Sequence, residues 1–288
     1  MTTALSESIE QLRARLAEHR RTGVTIGLVP TMGSLHAGHV RLIEQAKQEC
    51  GIVVISIFVN PLQFNRDDDF KNYPRTLADD IEVCKSSAVD IIFTPSVDEI
   101  YPNPQECTIK VGRLGTHLCG KYRPGHLNSV ATVVMKLLQI SQPERAYFGE
   151  KDAQQLAIIR CLVRDFLLPV TIVGVPTVRE ADGLALSSRN RLLSPVQRQT
   201  AIVLYKLLLY TQKQIAAGIK EAKIVKELAI AQIPKNATVR IEYLELVDPE
   251  NMQPVELIAG PVLAAGAAWV GTTRLIDNVI CNPIADTH

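Results

Sequence analysis

Short apolar runs alternate with amphipathic stretches over much of the chain, and this alternation strongly limits the folds it can adopt. The apolar runs predict strands buried on both faces at residues 24–30, 52–59, 90–94, 144–148 and 170–175. Helical spacing predicts helices at residues 6–21, 40–47, 77–86, 129–142 and 152–166. Because a helix between two strands carries the chain back across the sheet, the strands should be parallel. The sequence therefore predicts a Rossmann-like, doubly wound α/β sheet with its ligand outside the carboxyl ends of the strands.

The order of elements changes after residue 191. Two helices are predicted at residues 194–217 and 220–232, followed by strands at 238–247, 262–270 and 273–277. Strands that follow one another without intervening helices are typical of an α+β unit. We therefore predict two domains, a Rossmann-like catalytic domain over residues 1–182 and a smaller α+β C-terminal domain over residues 183–288.

The charges of the chain nearly cancel. Its 288 residues include 31 Lys and Arg against 30 Asp and Glu, which gives a net charge of +1. A protein that coats nucleic acid needs a basic excess, and a disordered chain combines high net charge with low hydrophobicity, whereas 47% of this chain is hydrophobic. We therefore expect a globular protein that binds no nucleic acid. No apolar run approaches the roughly 20 residues that span a bilayer, so no membrane association is expected either.

The cysteines point to a reducing compartment. The six cysteines form no C-x-x-C pair, and the N-terminal sequence MTTALSESIE has neither the basic start nor the apolar run of a signal peptide. The sequence therefore predicts a cytoplasmic protein.

The motif PTMGSLHAGH lies between the first of the buried strands and its helix. His36 and His39 are three residues apart and share one face of the first helical turn, where backbone N–H groups and the helix dipole favour a polyphosphate. Two imidazoles at this place can stabilise the charge that builds on an α-phosphate under attack, so we interpret the pair as catalytic. A metal-binding pair and two surface histidines are the alternatives, although zinc would require a third ligand.

A second motif, DGLALSSRN at residues 182–190, follows the last strand of the predicted sheet. Two hydroxyls, from Ser187 and Ser188, stand beside the guanidinium of Arg189, and together they predict a mobile loop that wraps phosphates. Taken alone, the segment fits a solvated linker equally well. Together with H-x-G-H it resembles the second signature of the class I nucleotidyl-transferring fold, whose two signatures meet across the active site.

Two polar loops between these motifs also follow predicted strands. Asn60 and Gln63 flank a Pro turn, where their amides either hydrogen-bond a substrate carboxylate or hydroxyl or cap the following segment. Lys151 stands at a helix start, where its charge opposes the helix dipole, which suggests that it serves an anionic ligand. Gln155 lies one turn further on the same face, and Asp152 is placed to cap the helix in either interpretation.

Several motifs follow one another in an order that extends over essentially the whole chain: PTMGSLHAGH, SIFVNPLQF, YPRT, RPGH, FGEKDAQQL and VPTVREADGLALSSRN. On these motifs the chain resembles the pantothenate synthetase family, the AMP-forming ligases of pantoate and β-alanine. The resemblance implies the class I adenylate-forming fold, with ATP and pantoate bound by the first domain and the second acting as a lid that supports a homodimer. It also implies ATP as a substrate, Mg²⁺ carried by ATP rather than held directly by the protein, and pantothenate, AMP and pyrophosphate as products formed through a pantoyl adenylate.

The resemblance also implies a role for each matching residue. The catalytic set comprises His39, His36, Lys151 and Arg189. The ATP contacts comprise Met32, Gly33, Ser34, Leu35, His36, Ala37, Gly38, His39, Gly149, Glu150, Lys151, Asp152, Val178, Leu186, Ser187, Ser188 and Arg189. Gln63 is matched to pantoate and β-alanine and Gln155 to pantoate, and we add Asn60 as a substrate contact from its place in the NPLQF loop.

The chain departs from the family pattern near the predicted pocket. Leu127, Asn128 and Ser129 stand where relatives often have Phe-x-Gly, and Ala153 stands where many have an aromatic residue. The first departure changes the surroundings of Arg123 and His126, so we do not include these two residues in the predicted catalytic set. Leu186 replaces a frequent Met, a volume-conserving change that we expect to have little effect.

Two other functions compete with the ligase. A nucleotidylyltransferase would use the same two signatures but release a stable dinucleotide-like product. A non-catalytic nucleotide-binding protein would use the same scaffold, but the histidines, the lysine and the arginine present at the phosphate-facing motifs argue against it. Formation of AMP and of an amide that depends on β-alanine distinguishes the ligase from both.

Overall fold

The computed structural model describes residues 3–234 and 237–283. Its strands are β1 (Ala4–Ser6), β2 (Ile26–Thr31), β3 (Ile52–Ile57), β4 (Ile91–Phe93), β5 (Arg145–Gly149), β6 (Thr171–Val175), β7 (Val239–Val247), β8 (Val262–Val270) and β9 (Thr273–Cys281). Its α-helices are α1 (Ile9–Arg21), α2 (Ala37–Glu49), α3 (Asp67–Lys71), α4 (Leu77–Ser86), α5 (Val97–Ile100), α6 (Cys119–Tyr122), α7 (His126–Ser141), α8 (Ala153–Asp165), α9 (Pro195–Ala201), α10 (Val203–Ala216) and α11 (Ala222–Ile230).

Strands β1 to β6 form one parallel sheet in the order β1-β4-β3-β2-β5-β6. The doubly wound sheet predicted from the alternating pattern is therefore confirmed. The interior of β2 and β3 is almost inaccessible to solvent, as expected of strands covered by helices on both faces. Strand β2 lies between β3 and β5. The chain after β2 therefore forms β3 on one side of it and later returns to form β5 on the other side. A ligand crevice is expected at the carboxyl end of such a strand, and the H-x-G-H motif follows β2 directly.

The N-terminal element differs from the prediction. The predicted helix over residues 6–21 is preceded by the edge strand β1, and the helix itself begins at Ile9, where the hydroxyl of Ser8 accepts a hydrogen bond from the Gln11 amide at 3.2 Å. A three-residue strand at the edge of a sheet is too short to produce a period, so helical spacing alone could not reveal it.

Strands β7, β8 and β9 form a separate antiparallel sheet, which confirms the predicted α+β character of the C-terminal part. The predicted single helix over 194–217 is two helices, α9 and α10, which meet at Ile202. Strand β9 runs to Cys281, four residues beyond the predicted end, because its alternating buried and exposed residues continue to pair with β8. The helices α10 and α11 pack on this sheet through an apolar core that includes Leu208, Val225 and Leu246.

The chain divides into two compact units. The first contains the chain up to Val111, together with Arg123–Glu150 and Ile158–Val178, and the second contains Gly112–Tyr122, Lys151–Ala157 and the chain from Arg179 onwards. This division differs from the single predicted boundary between residues 182 and 183. Two short segments join the second unit because their apolar side chains pack with its sheet, as Leu118 and Ala153 do in the cluster around Tyr243. The boundary at 182/183 stays a prediction about folding domains.

No helix within residues 3–234 and 237–283 combines the length and the apolar composition needed to cross a bilayer.

Candidate active site

The rings of His36 and His39 cap the start of α2 by accepting hydrogen bonds from backbone N–H groups of its first turn. The Nδ1 atom of His36, the N-cap residue, accepts the N–H of Gly38 at 3.1 Å, and the Nδ1 atom of His39 accepts the N–H of His36 at 3.2 Å. The centroids of the two rings are 4.1 Å apart. Because each Nδ1 is an acceptor, the proton of each neutral ring lies on Nε2. Each ring can therefore donate a hydrogen bond through Nε2, as contact with a phosphate oxygen requires.

A buried carboxylate holds the turn that leads into this pair. Gly33 and Ser34 have φ angles of 79° and 51°, so the backbone passes through the left-handed region here. Asp80 of α4 is 2% exposed, and its carboxylate oxygens accept the N–H of Ser34 at 2.9 Å and that of Leu35 at 2.7 Å. A Cβ atom on Gly33 would lie only 2.9 Å from Asp80 Oδ2, so this turn requires glycine.

Asp80 was not among the residues selected from the sequence. A signal for it exists, since Asp80 lies four residues before Cys84, on the same face of α4, and Cys84 is completely buried. A charged residue on a buried helical face requires partners, and here the backbone of the H-x-G-H turn supplies them.

Asn60 caps the short 3-10 helix Pro61–Gln63. Its Oδ1 atom accepts the N–H of Leu62 at 3.3 Å and the hydroxyl of Tyr101 at 3.0 Å, and Asn60 is fully buried. Burial raises the pKa of Tyr101 to about 12, which keeps this hydroxyl protonated as a donor. The capping alternative is thus what the structure displays for Asn60, while its contact with a substrate stays a prediction.

Arg123 and His126 converge on the backbone of Gln63. The carbonyl oxygen of Gln63 lies 2.7 Å from His126 Nδ1 and 3.1 Å from Arg123 Nη2. Arg123 Nη1 lies 2.9 Å from His126 Nε2. Since a carbonyl can only accept, His126 donates from Nδ1 and accepts the Arg123 hydrogen bond at Nε2. These two residues, left out of the predicted catalytic set, thus hold in place the residue predicted to bind both pantoate and β-alanine.

Lys151 is the first of the predicted site residues, in chain order, that belong to the second unit. Its Nζ atom lies 3.5 Å from the Oδ2 atom of Asp152, and its backbone carbonyl accepts a hydrogen bond from Asn278 Nδ2 at 2.8 Å. The next residues begin α8, where buried Gln154 donates from Nε2 to the backbone carbonyls of the 112–122 segment, and Gln155 stays half-buried. In the first unit, Gly149 ends β5, and a Cβ atom there would meet no heavy atom within 4 Å.

Ion pairs and hydrogen bonds hold the base of the DGLALSSRN segment, and its predicted mobility stays a prediction. Its entry forms an antiparallel bridge between Arg179 and Ala185, and the guanidinium of Arg198 binds the carboxylates of Asp182 at 2.8 Å and of Glu180 at 2.6 Å. Ser187 then caps the 3-10 helix Ser188–Leu192. The charge-assisted hydrogen bonds of Arg198 thus connect the base of the segment to α9.

The predicted site residues are divided between the two units. The first unit holds Met32, Gly33, Ser34, Leu35, His36, Ala37, Gly38, His39, Asn60, Gln63, Gly149, Glu150 and Val178. The second unit holds Lys151, Asp152, Gln155, Leu186, Ser187, Ser188 and Arg189. Within the second unit, one pocket is lined by residues that include Lys151, Ser187, Asn190, Tyr205 and Asp277. This unit therefore brings its lysine and the serine motif together.

Each unit offers donors suited to an anion. The first provides the Nε2 donors of two imidazoles at the N-terminus of a 13-residue helix, where the helix dipole also favours negative charge. In the second unit, Lys151 and Ser187, which carry an ammonium and a hydroxyl group, are among the residues that line one pocket. Over the described parts of the chain, no three His, Cys, Asp or Glu side chains are grouped so that they could hold a metal ion.

Known proteins resemble the chain over nearly all of its length. A model of the pantoate-β-alanine ligase family matches residues 4–280. The pantothenate synthetase of Moorella thermoacetica is 48% identical over 276 residues, which cover 96% of this chain and 98% of the relative.

Solved structures agree with this similarity. The crystal structure of pantothenate synthetase from Thermus thermophilus is 43% identical, with a TM-score of 0.89, over 96% of this chain and 98% of that one. The pantoate-β-alanine ligase from Francisella tularensis, complexed with β-γ ATP and β-alanine, is 35% identical, with a TM-score of 0.81, over 97% and 98% of the two chains.

Proposed function

The chain belongs to the pantoate-β-alanine ligase family, and we propose how its own residues carry out the ATP-dependent joining of pantoate to β-alanine. One observation carries the proposal: the reciprocal cap of His36 and His39 at the carboxyl end of β2 fixes both rings with Nε2 as the donor. Imidazole donors at a helix N-terminus are suited to a phosphate that gains charge during a displacement.

In the first step, a carboxylate oxygen of pantoate attacks the α-phosphorus of ATP. A new P–O bond forms while the bond to the β-phosphate oxygen breaks, and pyrophosphate leaves with the electron pair. His36 and His39 donate to the oxygens of the reacting phosphate, and Lys151 and Arg189 balance the charge of the departing pyrophosphate. Ser187 and Ser188, with the backbone of residues 32–39 and 149–152, complete the nucleotide contacts. Positioning and charge stabilisation account for the acceleration, and no covalent enzyme intermediate is needed.

In the second step, the amine of β-alanine attacks the activated carbonyl of the pantoyl adenylate. A C–N bond forms, the C–O bond to AMP breaks, and the amine proton is lost, which leaves pantothenate and AMP. We assign the pantoate carboxylate to the amides of Gln63 and Gln155, with Gln63 also contacting β-alanine. The support for Gln63 is its 9% exposure and a backbone held by both Arg123 and His126, since a pre-positioned amide loses little freedom on binding.

We propose that magnesium enters with the ATP phosphates. Mg²⁺ is commonly bound by substrate phosphates, water and one or two carboxylates rather than by an all-protein cage. The carboxylate of Asp152, beside Lys151, is 45% exposed, so its oxygens are accessible to such an ion. Bound Mg²⁺ would neutralise phosphate charge.

We further propose a homodimer in the cytoplasm. The dimer rests on the family resemblance, and light scattering tests it by looking for twice the 31.7 kDa mass of one chain. The cytoplasmic location is supported by the cysteines, all six of which are free thiols, as expected in a reducing compartment.

The experiment that tests the function is an assay for AMP and pantothenate with ATP, pantoate and β-alanine, in which each substrate is omitted in turn. Both products should require all three substrates. A dinucleotide-like product without β-alanine would instead indicate a nucleotidylyltransferase, and ATP binding without turnover would indicate a non-catalytic protein.

A further inference from the structure

Two adjacent residues of β9, Asp277 and Asn278, hold the two phosphate-facing segments of the second unit. Asn278 Nδ2 donates to the backbone carbonyl of Lys151 at 2.8 Å. Asp277 forms a two-point ion pair with Arg179, with Oδ2 2.6 Å from Nη1 and Oδ1 2.9 Å from Nη2. One strand thus reaches the segment that carries Lys151 and the entry to the segment that carries Ser187.

The Asp277–Arg179 pair is more than a surface ion pair. The carboxylate of Asp277 is 4% exposed and the side chain of Arg179 is 19% exposed. Arg179 also donates to the carbonyls of Gly183 at 3.1 Å and Asn278 at 3.2 Å, and its guanidinium lies 4.0 Å from the centroid of the Tyr205 ring. A planar guanidinium that is bonded, stacked and largely buried in this way has one orientation. Its contact with the Gly183 carbonyl therefore holds the turn at residues 180–183.

The turn continues this constraint into the serine motif. Gly183 has a φ angle of 98°, and a Cβ atom there would lie 2.3 Å from the Tyr205 ring. Beyond the turn, Asn190 Nδ2 donates to the carboxylate of Glu180 at 3.3 Å and to the Ala185 carbonyl at 3.1 Å, closing the loop that contains Ser187. The position of the serine motif thus depends on Arg179 and, through it, on Asp277.

Lys151, Ser187 and Asp277 line the same pocket, so the two held segments face one space. The backbone N–H of Asn278 donates to Asp277 Oδ1 at 2.8 Å, which links the two anchors directly. A donor set that is fixed before the ligand arrives stabilises developing charge without the cost of reorganisation.

We propose that Asp277 and Asn278 are positioning residues for adenylate formation: they fix the backbone of Lys151 and the base of the 179–190 segment relative to each other. This inference rests on the proposed function, because Lys151 and Ser187 are assigned there to the nucleotide. In this proposal neither Asp277 nor Asn278 contacts the substrate. Both act through the residues that they hold, Arg179 and Lys151.

The primary test is Asn278→Ala, which removes the hydrogen bond to the Lys151 carbonyl and leaves the ion pair between Asp277 and Arg179 in place. The rate of pyrophosphate release with ATP and pantoate should fall on the order of 10- to 100-fold, the range expected when reacting groups are misplaced by about an ångström. Asn251→Ala is the matched control, since Asn251 lies on an exposed turn of the same unit and its Oδ1 accepts from Gln253. The control should release pyrophosphate at the rate of the unmodified protein.

A double-mutant cycle with Lys151→Ala separates positioning from general destabilisation. If Asn278 acts through Lys151, Asn278→Ala should change the rate little once Lys151 is already Ala, whereas independent losses would multiply. Multiplying losses would overturn the inference. An unchanged rate for Lys151→Ala alone would instead overturn the proposed role of Lys151, so the two failures are distinguishable.

Asp277→Asn provides the second arm. It weakens the hold on Arg179 and should lower the same rate in the same range. An unchanged rate in a folded Asp277→Asn protein would contradict the role of Asp277. Because this variant leaves a buried guanidinium without its carboxylate, it can fail to fold, and the Asn278 arm then decides.

Discussion

The Nδ1 atom of His39 lies 3.2 Å from the backbone nitrogen of His36 and accepts its hydrogen bond. The ring of His39 thus makes two kinds of contact. Its Nδ1 atom caps the start of the helix, and its Nε2 atom carries the N–H that can donate a hydrogen bond to a phosphate oxygen. The two contacts can be separated by substitution. An Asn side chain places its amide near the Nδ1 position, and a Gln side chain reaches the Nε2 position.

For His39→Asn we expect a folded protein that forms the adenylate on the order of 100-fold more slowly or worse, since the cap is retained and the donor is lost. His39→Gln should be less impaired, because an amide donor reaches the phosphate. Both rates are measured as pyrophosphate release with ATP and pantoate, and circular dichroism checks the fold. Equal activity of His39→Asn and the unmodified protein would exclude the Nε2 donor role.

Asp80→Asn should weaken the hydrogen bonds that hold the turn before the H-x-G-H motif. The carboxylate accepts two backbone N–H groups, whereas an amide offers one acceptor and sets its own N–H₂ against the other. We expect a loss of about 1–3 kcal/mol in the free energy of unfolding, the cost of a buried donor left without its acceptor, together with slower pyrophosphate release. Urea unfolding measures the first effect.

Asp79→Asn is the matched control, because Asp79 neighbours Asp80 on the same helix but is exposed. It should change neither the free energy of unfolding nor the rate. Equal effects of the two substitutions would show that the charge of α4, rather than the contact with the turn, is responsible.

Gln63→Ala should raise the KM for pantoate more than the KM for ATP, because its amide is assigned to the pantoate carboxylate. His126→Ala should move the same parameter in the same direction, since His126 holds the Gln63 carbonyl at 2.7 Å. Steady-state kinetics with each substrate varied in turn provides both values. A parallel rise of the two KM values would argue against placing Gln63 at pantoate.

The alternation of strands and helices made most of the fold predictable. Strands such as β2 and β3, buried on both faces, have apolar runs that leave few other interpretations, and α4 was predicted with its observed bounds, Leu77–Ser86. The motifs H-x-G-H and DGLALSSRN were recognisable because both follow predicted strands and occur together in one chain, whereas DGLALSSRN alone fits a solvated linker equally well.

Contacts made through backbone groups left no such signal. Arg123 and His126 bind the carbonyl of Gln63, and Asn278 binds the carbonyl of Lys151. Every residue has a backbone carbonyl, so the residue type at the accepting position gives no sign of such a contact. The partners are separated by 60, 63 and 127 positions, so spacing could not pair them. The break between α9 and α10 at Ile202 was missed for a related reason, because the apolar pattern continues across it.

The ion pair between Asp182 and Arg198 should make part of the stability depend on acid. Hydrogen bonding to Arg198 lowers the pKa of Asp182 from 3.8 to about 2. A carboxylate whose pKa is lowered by folding stabilises the folded state at pH values above its ordinary pKa. This contribution is lost as the pH falls from about 4 to about 2. Asp182→Asn should therefore lower stability at pH 7 and approach the unmodified protein near pH 2.

Trp269 of β8, the single tryptophan of the chain, allows this to be followed by fluorescence in the same unit. Urea midpoints at pH 7 and near pH 2.5 give the comparison, and Glu250→Gln, on an exposed turn, is the control. A difference between Asp182→Asn and the unmodified protein that is the same at both pH values would contradict the assigned pKa shift.

Donors fixed at the helix start and in the serine motif are the central element of the proposed mechanism, because they drive transfer of AMP to pantoate. The most direct measurement is exchange of labelled pyrophosphate into ATP, with pantoate present and β-alanine absent, in the unmodified protein and in His39→Asn. We predict exchange that requires pantoate and falls on the order of 100-fold in the variant. Exchange that is absent from the unmodified protein at saturating ATP and pantoate, or unchanged in the variant, would contradict this mechanism.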